Sequence, residues 1–377
     1  MFQGEYLPEF SESGLRATLQ GWKAAFPEAG LLAVLPEGEK DQIGVLQEIA
    51  RSLAIPLRGA VFPALLTAQG FSTSGLILLR LDPCPPWLML DQLSDQNGAQ
   101  FAARLAEFCH DPLATGETGD APTLFFIFDG LLPNINTLLN RVHERLGPRV
   151  RYAGVNAGSE SFQPMPCLFD EERLIQGGSI ALLLPTNFRF AVEHQYPVSK
   201  TLFRATSTTG NRIDQIDGKP ALTVYQALLK SEFGVDLTPE NFYQYAVHYP
   251  FGLVMALDVL VRIPVGLTPE GAIHCVGEIP PNAILKLLRA PDLEESQCVE
   301  RIASRLPAAS GKSLVTFYCA GRRMHFGDAA ASELHHLQSG SQSTALLGAL
   351  TLGEIGTDPE MGFPEFHNAA LVCFTAS

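Results

Sequence analysis

The chain of 377 residues is 46% hydrophobic and 18% charged, so it is long enough for two domains and apolar enough to bury a large core. This composition excludes an intrinsically disordered chain. The formal net charge of −14 argues against non-specific binding of nucleic acid, which requires a basic surface, and against docking on an anionic membrane.

The sequence lacks the signals of secretion and of membrane insertion. The N-terminal segment has neither the basic nor the apolar region of a signal peptide. The longest apolar stretch, 251–267, is interrupted by Asp258, Arg262 and Pro264 and is too short for a membrane span. The seven cysteines are scattered, and no C-x-x-C pair occurs. We therefore expect a protein of the reducing cytoplasm that does not insert into a membrane.

Apolar periodicity predicts alternating strands and helices in the first half. The predicted helices are 11–26, 43–53, 100–110 and 134–146. The predicted strands are 30–36, 57–66, 74–81, 123–128, 149–155 and 174–184. Residues 82–98 and 111–122 are rich in Pro, Gly and polar residues, which predicts a surface excursion and a loop. This order of apolar strands and helices favours sheets covered by helices.

The junction at residues 191–229 predicts strand, turn, strand, turn and helix. Gly210-Asn211 and Asp217-Gly218 supply turns, because these residue types adopt positive φ at low cost. Pro220 suits the first turn of the helix that follows. In the second half, the pattern predicts helices at 241–247, from about 281, at 298–306 and at 329–338. It predicts strands at 255–263, 271–276, 314–319, 345–353 and 369–375.

Short motifs in the second half and at the junction follow a known pattern. The junction motif comprises Thr206, Gly210, Asn211, Ile213, Ile216, Asp217, Gly218, Pro220, Ala221, Leu222 and Tyr225. The later motifs are Phe317, Cys319, Gly321 and Arg322, then Gly348, Gly353, Glu354 and Ile355, then His367 and Asn368. Together they resemble the FIST sensory domain, although Pro197-Val198-Ser199 departs from the Pro-Ile-Gly usual there.

This resemblance implies an α+β fold in two parts, with mixed and antiparallel sheets covered by helices. We expect an N-terminal helical extension at residues 1–29, a FIST N-terminal domain at 30–217 and a FIST C-terminal domain at 218–377. Asn156 lies in the strand-end loop from Gly154 to Gly158, where the family carries a Gly-Gly-x-Ala-Gly loop.

The residue types favour binding over catalysis. The chain contains no G-x-G-x-x-G, no H-E-x-x-H and no nucleophile elbow, so we expect neither an enzyme nor a metal site. The candidate ligand-binding residues are Arg322, Glu354, Asn156, His367 and Asn368. Arg322 follows a predicted strand and has the geometry to fork onto a ligand carboxylate. Its alternative is an internal pair with Glu354, which could otherwise accept from a ligand amine.

The other candidates have structural alternatives as well. His367 and Asn368 could instead brace the last strand, and Asn156 could be a turn residue. His194 lies on a segment flanked by phenylalanines, and some bacterial FIST proteins resemble haem-binding nitric-oxide sensors that use a histidine ligand. A b-type haem at His194 is therefore one hypothesis, with His248 and His274 as rival ligands, and a structural histidine is the other.

These observations predict a cytoplasmic sensor that binds a small molecule, such as an amino-acid-like metabolite, between its two parts. The resemblance implies that it signals to a separate protein: a histidine kinase, a diguanylate cyclase or a chemoreceptor. The alternatives are a haem-based nitric-oxide sensor of the same family and an uncharacterised hydrolase. No nucleic-acid partner is expected.

Overall fold

The protein is described by a computed structural model that covers residues 2–94, 96–114, 120–255, 258–309, 312–357 and 362–376. Its helices are α1 (Glu12–Ala25), α2 (Ile43–Ser52), α3 (Gly98–Ala114), α4 (Ile135–Leu146), α5 (Ala221–Phe233), α6 (Phe242–Ala246), α7 (Cys298–Arg305), α8 (Ala320–Phe326) and α9 (Ala329–Gly340). Within this described part, no helix combines the length and the apolar character that crossing a bilayer requires.

The strands lie in four sheets. Those before residue 218 are β1 (Phe2–Leu7), β2 (Gly30–Pro36), β3 (Leu57–Phe62), β4 (Leu65–Thr67), β5 (Gly70–Ser72), β6 (Leu76–Leu81), β7 (Trp87–Leu90), β8 (Thr123–Asp129), β9 (Arg151–Ala157), β10 (Leu168–Asp170), β11 (Leu174–Ile175), β12 (Ser179–Leu184), β13 (Phe188–Glu193), β14 (Val198–Thr209) and β15 (Arg212–Ile216).

The strands that follow are β16 (Lys219–Pro220), β17 (Phe251–Val254), β18 (Val259–Arg262), β19 (Pro264–Leu267), β20 (Ile273–Cys275), β21 (Ile284–Leu288), β22 (Ser313–Cys319), β23 (Ala345–Thr351), β24 (Glu354–Thr357), β25 (Pro364–His367) and β26 (Leu371–Ala376). Mixed and antiparallel sheets with helices on their faces confirm the predicted α+β fold.

Three of the four sheets combine strands from both sides of residue 218: the second, the third and the fourth, in which β14 and β15 pair with later strands. The first sheet, in the order β1-β6-β2-β3-β10-β11, uses only early strands. The second, β25-β24-β9-β8-β12-β7, adds two late strands to four early ones. The third, β13-β26-β22-β23-β4-β5, adds three early strands to three late ones. The halves on either side of residue 218 therefore complete each other's sheets.

The fourth sheet grows out of the junction. Its order is β18-β17-β21-β14-β15-β20-β19, with β16 paired to β15. Gly210 and Gly218 adopt φ of +59° and +75°, which fits the two predicted turns. The predicted strand, turn, strand, turn and helix are confirmed as β14, β15 and α5. This sheet buries one face against α5 and α6.

The first three sheets share one apolar core. Phe125 of the second sheet lies 5.6 Å from Phe190 and 5.7 Å from Phe374 of the third, measured between ring centroids. The first sheet contributes Leu32, Val34 and other buried aliphatic residues to the same cluster. Helices α3 and α4 cover the opposite face of the second sheet, and α7 and α9 cover the third. This arrangement places the ends of β13, β24 and β25 at the seam between the halves.

Three local predictions need correction. The helix predicted from about residue 281 is wrong, because residues 284–288 form β21 between β14 and β17. The predicted surface excursion at 82–98 contains β7, which pairs with β12. The segment predicted as a helical extension holds β1 as well as α1. Within the predicted strand 255–263, residues 256–257 lie outside the described residues.

Candidate functional site

A groove of about 970 Å³ runs along the seam between the two halves of the chain. We call it the interpart groove. Its charged lining consists of four arginines and four carboxylates: Arg151, Arg189, Arg301, Arg305, Asp120, Glu193, Asp258 and Glu365. His194 and His367 line it as well, so it contains two of the sequence-predicted site residues. Its volume falls within the range of small-molecule sites.

The buried end of the interpart groove carries two carboxylates and a neutral imidazole. The side chains of Glu193 and Glu365 are only 5% and 9% exposed. Burial raises the pKa of Glu193, which pairs with Arg305 at 2.5 Å. Nε2 of His367 lies 3.6 Å from a Glu365 oxygen, and the buried Nδ1 of His367 has no hydrogen-bond partner among the described residues. Burial lowers the pKa of His367 to about 3, so the ring is neutral at pH 7.

His194 is committed to the protein through both ring nitrogens. Nδ1 accepts from the Tyr196 N–H at 3.1 Å, so Nε2 carries the proton and donates to the Val259 carbonyl at 2.9 Å. Burial lowers the pKa of His194. Neither nitrogen has a lone pair free for iron, and the neighbouring groove is charged rather than apolar. The residues at His194 therefore do not fit a haem.

The rival histidines lie away from the interpart groove. His274 is a strand residue of β20, paired opposite Arg212. His248 contacts His325, with their Nδ1 atoms 2.9 Å apart. Within the described residues, no group of three or more His, Cys, Asp or Glu side chains is arranged to hold a metal ion.

Arg322 is a fully buried clasp whose five N–H groups all meet protein acceptors. It forks onto Glu333, with Nε at 2.9 Å and Nη2 at 2.5 Å from the two carboxylate oxygens. Its other N–H groups reach the carbonyls of His194 and Ala369 and the hydroxyl of Ser296. The internal partner of Arg322 is thus Glu333 of α9 and not Glu354.

Glu354 opens β24 and is fully buried. Its carboxyl accepts from the Thr351 hydroxyl at 2.6 Å and from the Ala370 N–H at 3.3 Å. Burial raises the pKa of Glu354 to about 8, so the group is mainly protonated at pH 7. It lies behind Thr351, which faces a second, smaller void.

This second void, which we call the interpart cavity, measures about 40 Å³. Both halves line it, with Glu160 and Phe162 from the first half and Tyr243, Met324 and ten further residues from the second. Asn368 lines the interpart cavity, whereas its neighbour His367 lines the interpart groove. These two consecutive residues therefore line different voids.

Asn156 is fully buried, and in the part of the chain that the structure describes neither its amide oxygen nor its amide nitrogen has a hydrogen-bond partner. It lies at the end of β9 beside Gly353, where an added Cβ would stand 3.0 Å from its nitrogen. It lines neither the groove nor the cavity. The five candidate residues therefore surround the same corner of the fold without converging on one void.

Sequence reasoning did not identify the charged lining of the groove. Glu193, Arg301, Arg305 and Glu365 are ordinary charged residues in the sequence, and only the crossing of β13, α7 and β25 brings them together. One available signal was Glu193, a carboxylate at the end of an apolar strand directly before His194. Glu333 was placed on its helix correctly, but helical spacing cannot show which buried cation it meets.

Comparison with protein-family models gives two adjoining matches. The model for the FIST N domain matches residues 29–219, and the model for the FIST C domain matches residues 221–357. Together they cover most of the chain, and the groove residues Glu365 and His367 lie beyond the end of the second match. No curated protein matches the chain.

Proposed function

The chain belongs to the FIST family, whose members are sensory domains of signal transduction that bind small ligands. On this basis we propose that it is a cytoplasmic sensor that binds an amino-acid-like metabolite in the interpart groove. In this proposal it reports the ligand to a separate protein, such as a histidine kinase, a diguanylate cyclase or a chemoreceptor.

The observation that carries the proposal is the balanced charge of the groove lining. Four arginines face four carboxylates, while His194 and His367 are neutral because burial lowers the pKa of each. A ligand with a large net charge would leave part of this lining unpaired at a desolvation cost. A zwitterion offers one group to each sign, so the lining favours a molecule that carries both an ammonium and a carboxylate.

The two ends of such a ligand have separate candidate partners. Glu193 and Glu365 are buried and would accept from the ammonium, with the ligand carboxylate replacing Glu193 as the partner of Arg305. Arg301 lines the groove within electrostatic reach of Glu193 and, with Arg305, would fork onto the carboxylate. The free Nδ1 of His367 adds a hydrogen-bonding site beside Glu365.

Signalling follows from the position of the groove between the family parts. A ligand that touches β13 on one side and α7 on the other favours whichever arrangement of the halves brings these elements together. The Arg322 clasp joins the same region, since it binds the His194 carbonyl beside β13 and Glu333 on α9. Ligand binding would therefore change the relative stability of two arrangements of this seam.

The test is isothermal titration calorimetry of the full chain with a panel of free amino acids. We expect at least one to bind, and its N-acetyl and carboxamide derivatives to bind at least tenfold more weakly. Glu365→Gln and Arg301→Gln should each weaken binding at least tenfold, about 1.4 kcal/mol. Arg289→Gln is the matched control, because Arg289 makes exposed pairs outside the groove.

Binding of the two derivatives as tightly as the parent amino acid would contradict recognition of a zwitterion. Failure of the whole panel would contradict the proposal outright.

A further inference from the structure

The mouth of the interpart cavity is ringed by exposed apolar side chains. Phe162, Tyr243 and Met324 are 39%, 40% and 44% exposed. They are three of the eight large hydrophobic residues exposed in the described part of the chain, and all three line this one cavity. The Tyr243 hydroxyl lies 3.5 Å from the Met324 sulfur, so the two side chains meet across the mouth. A contiguous exposed apolar patch of this kind marks binding sites more often than an isolated exposed residue does.

Phe162 reaches the mouth through an unfavourable backbone conformation. Its φ is +52°, a region that bulky residues rarely adopt. The turn is held by Ser159 and Ser161, whose hydroxyls lie 2.8 Å apart and accept from the N–H groups of Ser161 and Gln163. The strained backbone at Phe162 thus holds an aromatic ring in solvent beside a cavity. A turn with a purely structural role does not require such strain.

The interior of the cavity changes character with depth. Aliphatic side chains form its wall: Val247, Ile263, Val265, Val276 and Leu352. Thr351 and Asn368, at 0% and 1% exposure, form a polar floor. At this floor the carboxyl bonded to Thr351 belongs to Glu354, whose pKa is about 8, while the carboxylate of the lining, Glu160, is 44% exposed and lies 3.9 Å from Arg323. The floor can therefore hydrogen-bond a neutral group but cannot neutralise a charge.

We propose that the interpart cavity is a second binding site, specific for a small, uncharged molecule with an aromatic or apolar body and a neutral hydroxyl or amide group. The void of about 40 Å³ holds only a few atoms, so only the neutral group of the ligand enters it. There it meets Thr351 and Asn368. The apolar body packs between Phe162, Tyr243 and Met324, whose side chains close over it. The site is distinct from the interpart groove, since the two voids have no lining residue in common.

The experiment is a ¹⁹F NMR titration of the full chain with 4-fluorophenol, 4-fluorobenzoate and 4-fluorobenzylamine. These probes share the ring and differ in the charge of the polar group. We expect saturable binding of 4-fluorophenol and at least tenfold weaker binding of both charged probes. Phe162→Ser and Met324→Ser should each weaken 4-fluorophenol binding at least tenfold, whereas Met324→Leu should retain it.

Two controls keep the result specific. Phe363→Ser removes a ring that is 44% exposed, against 39% for Phe162, and that does not line the cavity, so it should leave binding unchanged. Glu365→Gln, in the groove, should also leave 4-fluorophenol binding unchanged, so that failure of the groove proposal and failure of this one remain distinguishable. Absence of saturable 4-fluorophenol binding overturns the proposal, as does equal binding of the charged probes, wild-type affinity in Phe162→Ser and Met324→Ser, or a loss of binding in Phe363→Ser.

Discussion

Arg322 shows how a predicted binding residue can be occupied by the protein itself. The sequence places it after a strand and a glycine, where a guanidinium would reach a ligand. In the structure its N–H groups bind Glu333, Ser296 and two backbone carbonyls. The residue type and its position could be predicted, but the partner could not, because Glu333 approaches only once α9 packs on the third sheet. The buried groups around Arg322 lead to two predictions about single residues.

The first concerns the free energy of unfolding. Among the described residues, Arg322→Ala leaves the fully buried Glu333 with the Tyr318 hydroxyl as its side-chain partner. Breaking a buried ion pair by removing one partner costs about 3–5 kcal/mol. We expect a loss of that size in urea denaturation. Arg289→Ala is the control, since it breaks only exposed pairs and should cost less than about 1 kcal/mol. A cost for Arg322→Ala as small as that of the control would show that the clasp does not stabilise the seam.

The second prediction concerns pH. Nε2 of His325 donates to the Pro291 carbonyl, so its Nδ1 must accept from Nδ1–H of His248 at 2.9 Å. Burial lowers the pKa of both rings in the folded state, and Arg322 lowers that of His325 further. The unfolded chain therefore binds more protons below pH 6.5, the usual pKa of histidine. The stabilisation from this pair is complete above that pH and is lost as the pH falls below it.

We expect His325→Gln to flatten the fall in unfolding free energy between about pH 7 and pH 5 relative to the wild type. His336→Gln, on an exposed face of α9, should keep the wild-type slope. The comparison must be made between variants, because Glu354 titrates with the opposite sign: its raised pKa of about 8 makes it destabilising as the pH rises. A slope unchanged by His325→Gln would rule out protonation of the histidine pair as a source of acid sensitivity.

At the scale of elements, apolar periodicity predicted most helices and strands, and its failures have local causes. Ile284, Leu285, Leu287 and Leu288 fit helical spacing in the sequence. In the structure this segment is a strand that pairs with β14 on one side and β17 on the other. Pairing on both sides gives hydrogen-bond partners to more of its backbone N–H and C=O groups than an isolated helical turn would. The sequence did not predict that the two halves exchange strands in the second and third sheets. The exchanged strands β4, β24 and β25 are too short to show a clear apolar periodicity.

This exchange predicts that neither half folds alone. A fragment of residues 1–217 lacks β24 and β25, which leaves the edge of β9 unpaired, and residues 218–377 lack β4 and β13. Unpaired edges of buried strands promote aggregation. We expect each fragment alone to be aggregated or unfolded in size-exclusion chromatography and circular dichroism, and the two co-expressed fragments to assemble into a complex with a cooperative melt. A cooperative melt of either isolated fragment would contradict this dependence.

For the whole molecule, the family matches cover most of the chain, and the groove between its halves is lined by four arginines and four carboxylates. The α+β fold was predicted from the sequence and is confirmed, a ligand between the two parts stays a prediction, and the groove's charges were not predicted. Its lining comes from strands, a helix and loops that are distant in the chain, so only the folded seam reveals it.

Binding of a ligand between the two parts is tested most directly by backbone hydrogen–deuterium exchange of the full chain, with and without a saturating mixture of free amino acids. We expect slower exchange in both β13 and α7, because the ligand contacts both sides of the groove. Exchange in α1, which lies outside the groove, should be unchanged. Unchanged exchange throughout, or protection confined to one side of the groove, would contradict a ligand held between the two parts.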